Sequence, residues 1–191
     1  MSEEYGAAAR LGDGEKAYGL VSRINHWIVA GVFITALGLG LTMAYGGLPR
    51  EAGFALMPYH KFFGVLVLVF GIWRVCWRLV QGFPSSVPGM PKWQDLASKV
   101  AHWALLAAIV LMPASGLTTS LAGGHSLAFF GVQLVPELGK VEWLSAAAGW
   151  LHGALGLTIT AILLVHVGAA LKHHFFDHDA TLLRMTRGRA A

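Results

Sequence analysis

The chain has 191 residues, of which 55% are apolar and only 13% charged, with a mean hydropathy of +0.59 and a formal net charge of +4. A water-soluble domain carries about a quarter charged residues, so this composition excludes an ordinary soluble fold and excludes disorder with it. The single cysteine, Cys76, excludes an internal disulfide framework and any Cys-rich zinc or iron–sulfur site, and it reads as a small buried apolar residue.

In chain order, residues 1–20 form a polar leading segment with Glu3, Glu4, Arg10, Asp13, Glu15 and Lys16. Its acidic residues, and the lack of a small-residue cleavage site, argue against a secretory signal. Residues 21–176 read as a transmembrane domain with spans at about 24–45, 59–80, 101–121 and 146–171. Each reaches the roughly 20 residues that a helix needs to cross a bilayer. Between spans two and three, Gln81 to Trp93 contains Pro84, Pro88 and Pro91 and predicts an extended connection. Ala122 to Ser145 is the longest extramembrane piece, and its apolar stretch Ser126 to Leu138 either lies along the outer membrane surface or lids a site there. Residues 177–191 are a basic tail. Strand-like alternation is absent, which argues against a β-barrel. The fold class is therefore all-α, an integral membrane four-helix bundle, and the 24 glycines suit its close packing.

Most of the 14 Lys and Arg lie on one side: Arg10, Lys16 and Arg23, then Arg74, Arg78, Lys92 and Lys99, then Lys172, Arg184, Arg187 and Arg189. The other side has only Arg50, Lys61 and Lys140. The positive-inside rule puts both termini in the cytoplasm. These bases sit at span ends with no soluble domain to use them, so a nucleic-acid partner is not expected.

Nine histidines in so apolar a chain need a purpose. A histidine inside a bilayer marks function by default, and a helix-to-helix hydrogen bond is the plain alternative for any one of them. His26 opens span one at its cytoplasmic end, and His166 lies five residues before the cytoplasmic end of span four. His60 opens span two at the outer end, and His152 lies a turn or two into span four from that side. Two depth-matched pairs result. His152 and His166 are 14 residues apart, almost four turns, so they leave span four from nearly one face with a rise of about 21 Å. That spacing suits two bis-histidine haems stacked along the membrane normal. One turn after each candidate ligand stands a small residue, namely Ala30, Gly64, Gly156 and Ala170, whereas His102 is followed by Leu106 and His125 by Phe129. Zinc gathers three or four ligands in one place, copper wants a Cys–Met–His cluster, and a proton relay wants Asp or Glu within the spans; none of these is seen.

The segments carrying these histidines resemble a known family. Ser22-Arg23-Ile24-Asn25-His26-Trp27, Tyr59-His60-Lys61-Phe62-Phe63-Gly64, Trp150-Leu151-His152-Gly153, the run from His166 to Phe176 and the tail Asp179 to Met185 are similar to the bacterial cytochrome b561 family of four-helix di-haem proteins. The resemblance covers nearly all of residues 20–187. It implies two b-type haems, with His26 and His166 as axial ligands of the cytoplasmic-side haem and His60 and His152 as those of the outer haem. It also implies a bacterial inner-membrane protein of the respiratory chain, in contact with lipid, with ubiquinone or another quinone as substrate and a periplasmic electron donor or acceptor. Some family members are superoxide oxidases, which would make the chain a quinone-linked oxidoreductase. The other readings are a haem relay subunit for a periplasmic dehydrogenase or c-type cytochrome without its own catalysis, and a haem-free transporter or structural subunit. His173, His102, Arg74, Arg78 and Lys92 are the candidate quinone or propionate contacts. Trp27, Trp73, Trp77, Trp103, Trp143 and Trp150 read as an interfacial belt, and Gly149 with Gly153 serve either haem packing or a homodimer.

Overall fold

A computed structural model describes residues 11–188; Glu3, Glu4, Arg10 and Arg189, used in the reading above, lie outside the described residues. In hydrocarbon a backbone amide has no water to bond, so each apolar run closes its hydrogen bonds within one helix. Four long helices result: α1 (Leu20–Tyr45), α2 (Arg50–Gln81), α3 (Lys92–Ala122) and α4 (Glu142–Phe175). All four are long and apolar enough to cross a membrane. They overrun the expected spans because hydropathy stops at the first charged side chains while the backbone ladder continues past them. Thus α2 runs through Pro58 back to Arg50, and α3 starts directly after Pro91, whose carbonyl accepts the amides of Gln94 and Asp95.

The exterior is apolar. Val69, Leu79, Leu111, Leu164 and Val165 are each more than half exposed, the reverse of a soluble surface and what a lipid solvent requires. Cys76 is also exposed, which corrects the expectation that it is buried: it falls on the outer face of α2, where lipid rather than protein covers a small apolar group. Trp27, Trp103, Trp143 and Trp150 are exposed. Trp77 differs, turning inward to donate its Nε1–H to the Ser22 hydroxyl at 2.7 Å.

The described chain forms two compact units, each containing part of every long helix. The first, from the described residues 11–29, 73–106 and 161–188, has a polar centre. Arg78 is 2% exposed. Its guanidinium binds the Asp13 carboxylate, the Ser22 hydroxyl and, at 2.7 Å, the Gly82 carbonyl, and it lies over the rings of Tyr18 and Phe83. Burial raises the Tyr18 hydroxyl above its ordinary value, against the pull of Arg78. The segment before α1 is tied down by Asp13, which accepts the Gly19 amide at 2.8 Å. Gly19 is required there, since a Cβ would meet the Gly12 carbonyl oxygen at 2.2 Å. After α4 the tail forms a short helix, α5 (Thr181–Thr186). Arg184 donates to the Ser85 carbonyl at 2.6 Å, Arg23 to Thr186 at 2.8 Å and Trp27 to Met185 at 3.3 Å, which pin α5 to this unit.

The second unit, 30–72 and 107–160, has an apolar centre of Phe33, Val67, Ile109 and Ile159. Gly71 lets α2 approach α3, because a Cβ there would sit 2.9 Å from the Ile109 carbonyl oxygen, the acceptor that Pro113 leaves without its helical partner. Within Ser126–Leu138 the structure has an antiparallel hairpin, β1 (Leu127–Phe129) and β2 (Val132–Val135). Its two-residue turn, Phe130 and Gly131, has φ of 50° and 85°. Such primed turns normally carry Asn or Gly at the first position. Here the Phe130 ring packs on Phe62 and Tyr59, with centroids 5.3 and 6.2 Å away.

Asp13→Ala would leave the buried Arg78 without its carboxylate. It is expected to cost about 3–5 kcal/mol, measured as unfolding free energy in mixed micelles.

Candidate functional site

In the second unit, His60, about three turns into α2, and His152 on α4 face each other, their ring centroids 6.0 Å apart and their planes at 86°. Two imidazoles sharing one metal, each with a bond of about 2 Å, place their ring centroids about 6 Å apart. Both rings are oriented through Nδ1. His60 Nδ1 lies 2.9 Å from the Ala36 carbonyl oxygen of α1, and His152 Nδ1 lies 3.0 Å from the Met112 carbonyl oxygen of α3. A carbonyl accepts, so each Nδ1 carries the proton, and each Nε2 keeps its lone pair for a metal.

Each acceptor carbonyl is reached over a glycine one turn later. A Cβ on Gly40 would lie 3.0 Å from His60 Cε1, and one on Gly116 would lie 2.7 Å from His152 Cε1. Sequence reading found the small residues four positions after the ligands on their own helices but not these two, which stand on the helices opposite. The only signal for them is the offset of four from Ala36 and from Met112, and it becomes readable once the helix pairing is known.

Two clefts are both lined by His60 and His152. The first adds Phe33, Gly64 and Val67, the second Gly40, Gly153 and Gly156. Two facing imidazoles, each with its Nε2 lone pair uncommitted and with glycines beside them, are the donor set of a bis-histidine haem, and the residues present fit that group. Gly153 lines a cleft, and a Cβ added at Gly149 would lie 3.5 Å from the Thr119 methyl group.

The first unit holds His26, His102 and His166. Here the ring beside His166 is that of His102, at 5.5 Å, and His102 stacks on Phe83 at 5.5 Å; the ring beside His26 is Trp27, at 5.1 Å. His26 lies within electrostatic reach of His166, His102 and Arg74. Arg74 donates to Asn25 Oδ1 at 3.1 Å and, at 3.4 Å, to the Ser22 carbonyl, both neutral groups. Asn25 is fully buried, and its Nδ2 has no hydrogen-bond partner. An unfilled buried donor beside a cation suits a carboxylate, such as a haem propionate. Arg78, by contrast, spends both terminal nitrogens on Asp13, Ser22 and Gly82. Lys92 opens α3 and is exposed. His173, at the end of α4, lies with its Nδ1 2.6 Å from an Asp179 oxygen and 3.1 Å from an Asp177 oxygen. Burial pushes the Asp179 carboxyl up, but hydrogen bonds from Thr181 and His173 outweigh it and hold the group below its ordinary value.

A family model described as prokaryotic cytochrome b561 matches residues 17–188. The chain is 32% identical to cytochrome b561 homolog 2 of Escherichia coli K12, over 88% of this chain and 90% of that protein. It is 27% identical to cytochrome b561 homolog 1 of the same strain, over 84% and 91% of the two chains. It is 25% identical to the probable superoxide oxidase CybB of Yersinia pestis, over 89% and 96%.

Gly116→Ala and Gly40→Ala each drive a methyl group into an imidazole. Both are expected to lower the haem content of purified protein, Gly116→Ala the more, in a haemochrome assay.

Proposed function

The chain belongs to the prokaryotic cytochrome b561 family of membrane electron-transfer proteins, and from that premise we propose that it carries electrons across the bacterial inner membrane between an outer redox partner or small substrate and the quinone pool. The family implies b-type haem, and it sets aside the haem-free transporter. In this reading His60 and His152 hold an outer haem, His26 and His166 hold a cytoplasmic-side haem, and both termini are cytoplasmic. The observation that carries it is the facing pair His60 and His152, with both Nδ1 atoms spent on helix carbonyls. A haem closed on both faces by imidazole exchanges single electrons and offers oxygen no open position.

The protein's part is to hold, tune and insulate. The Ala36 and Met112 carbonyls fix the outer imidazoles, and Phe33 and Val67 keep water away from them. In the first unit Arg74 and Asn25 offer donors to haem carboxylates, while Arg78 holds the polar centre together. His102 supports His166 from the side. At the end of α4, His173 is placed to bond a quinone oxygen through Nε2, with Asp179 orienting the ring from Nδ1. Lys92 adds positive charge at the same end of the helices.

Two outer partners fit this scheme. The Yersinia relative carries the name of a superoxide oxidase, and superoxide, an anion, gains from a basic approach. Lys140 is paired with Glu142 at 2.9 Å, which leaves Arg50 and Lys61 as the outer cations without that neutralisation. The hairpin bears exposed Phe130, Val132 and Leu134, and this surface favours the second reading, a relay that receives electrons from a docked periplasmic dehydrogenase or c-type cytochrome.

Purified protein mixed with superoxide and ubiquinone separates the two. Quinone reduction without a further protein is the result expected of an oxidase. Reduction only after a soluble redox partner is added is the result expected of a relay, and no reduction in either case would end the quinone reading. His152→Ala and His166→Ala are each expected to lose one of two b-haem α-band components and to keep part of the other. Loss of neither would overturn the pairing.

A further inference from the structure

The two imidazoles of the outer pair look alike in their anchoring but differ in one group. On α1 the sequence Ala36-Leu37-Gly38-Leu39-Gly40 supplies the acceptor carbonyl and the opening glycine for His60. On α3 the sequence Met112-Pro113-Ala114-Ser115-Gly116 does the same for His152. At the third position after the carbonyl, α1 has Leu39 and α3 has Ser115. Ser115 is buried, 6% exposed. Its hydroxyl donates to the Met112 carbonyl at 2.8 Å, and its oxygen lies 3.1 Å from His152 Nδ1. With its one proton committed to the carbonyl, Ser115 can turn only a lone pair to the ring.

We propose that Ser115 lowers the reduction potential of the haem held by His60 and His152, by giving His152 a second hydrogen-bond acceptor that His60 lacks. Each acceptor on Nδ1–H draws the proton outward and makes the ring a stronger donor at Nε2. A stronger donor favours oxidised iron, and hydrogen bonding behind an axial ligand is one of the levers a protein has on haem potential. The surroundings amplify the effect, because in an apolar unit no water competes for the Nδ1 proton. Ser115 acts through His152 and is therefore a positioning residue. The inference rests on the reading that this pair binds haem.

The test is an equilibrium redox titration of the full chain in lipid nanodiscs, followed at the α-band, with electron paramagnetic resonance of the oxidised form. Ser115→Ala is expected to make one haem component easier to reduce, shifting its oxidised-to-reduced ratio at a fixed potential by about three- to tenfold. The other component should not move. Ser115→Thr keeps the hydroxyl and should restore the original value. If Ser115→Ala loses haem, Ser115→Cys, which offers a weaker acceptor of similar size, should shift the same component in the same direction by less. An unmoved component in protein with full haem, a shift toward harder reduction, or an equal shift of both components would overturn the role of Ser115. Retention of both haems in His152→Ala would instead overturn the haem pairing beneath it.

Discussion

An imidazole in hydrocarbon has two nitrogens to satisfy and no water to help. A helix carbonyl can serve one of them, since it has a second lone pair beyond its helical bond. That lone pair is normally covered, because each side chain leans back over the turn before it. A glycine four residues on uncovers it. Gly40 over Ala36 and Gly116 over Met112 are this arrangement, made twice. The ring orientation and the free Nε2 atoms depend on it.

The two units solve opposite problems. The second is apolar around its histidines, with Phe33 and Val67 beside them. The first brings charge inside. Arg78, Asp13, Ser22 and Asn25 are nearly or wholly buried there, and the aromatic faces of Tyr18 and Phe83 close over the guanidinium. A buried ion pair gains little net stability over apolar packing, but it is costly to break. Its clearest effect is to fasten the segment before α1 to the far end of α2, within the unit that α5 also joins.

The four spans and the histidine inventory were legible because hydropathy and the 3.6-residue period survive in any one helix read alone. What depends on two helices meeting was not. His60 and His152 could be matched by depth, but Gly40 and Gly116 stand on other helices, and nothing in a single sequence says which helices are neighbours. Arg78 read as one more basic residue at a span end, since its partner Asp13 is 65 positions away. The hairpin was hidden for a different reason. Its turn is Phe130-Gly131, not the Asn-Gly that announces such turns, and it is held by Phe62 and Tyr59 of α2. His102 beside His166 is a further contact between helices that one helix read alone does not show.

Each compact unit takes a histidine from α4, the last of the long helices. A ribosome completes that helix only after the other three have been delivered to the translocon. Neither histidine cluster is complete until that helix arrives, so a group that needs both members of a pair can be seated only after the fourth span is made. A truncation anywhere before α4 would leave each cluster without its α4 member.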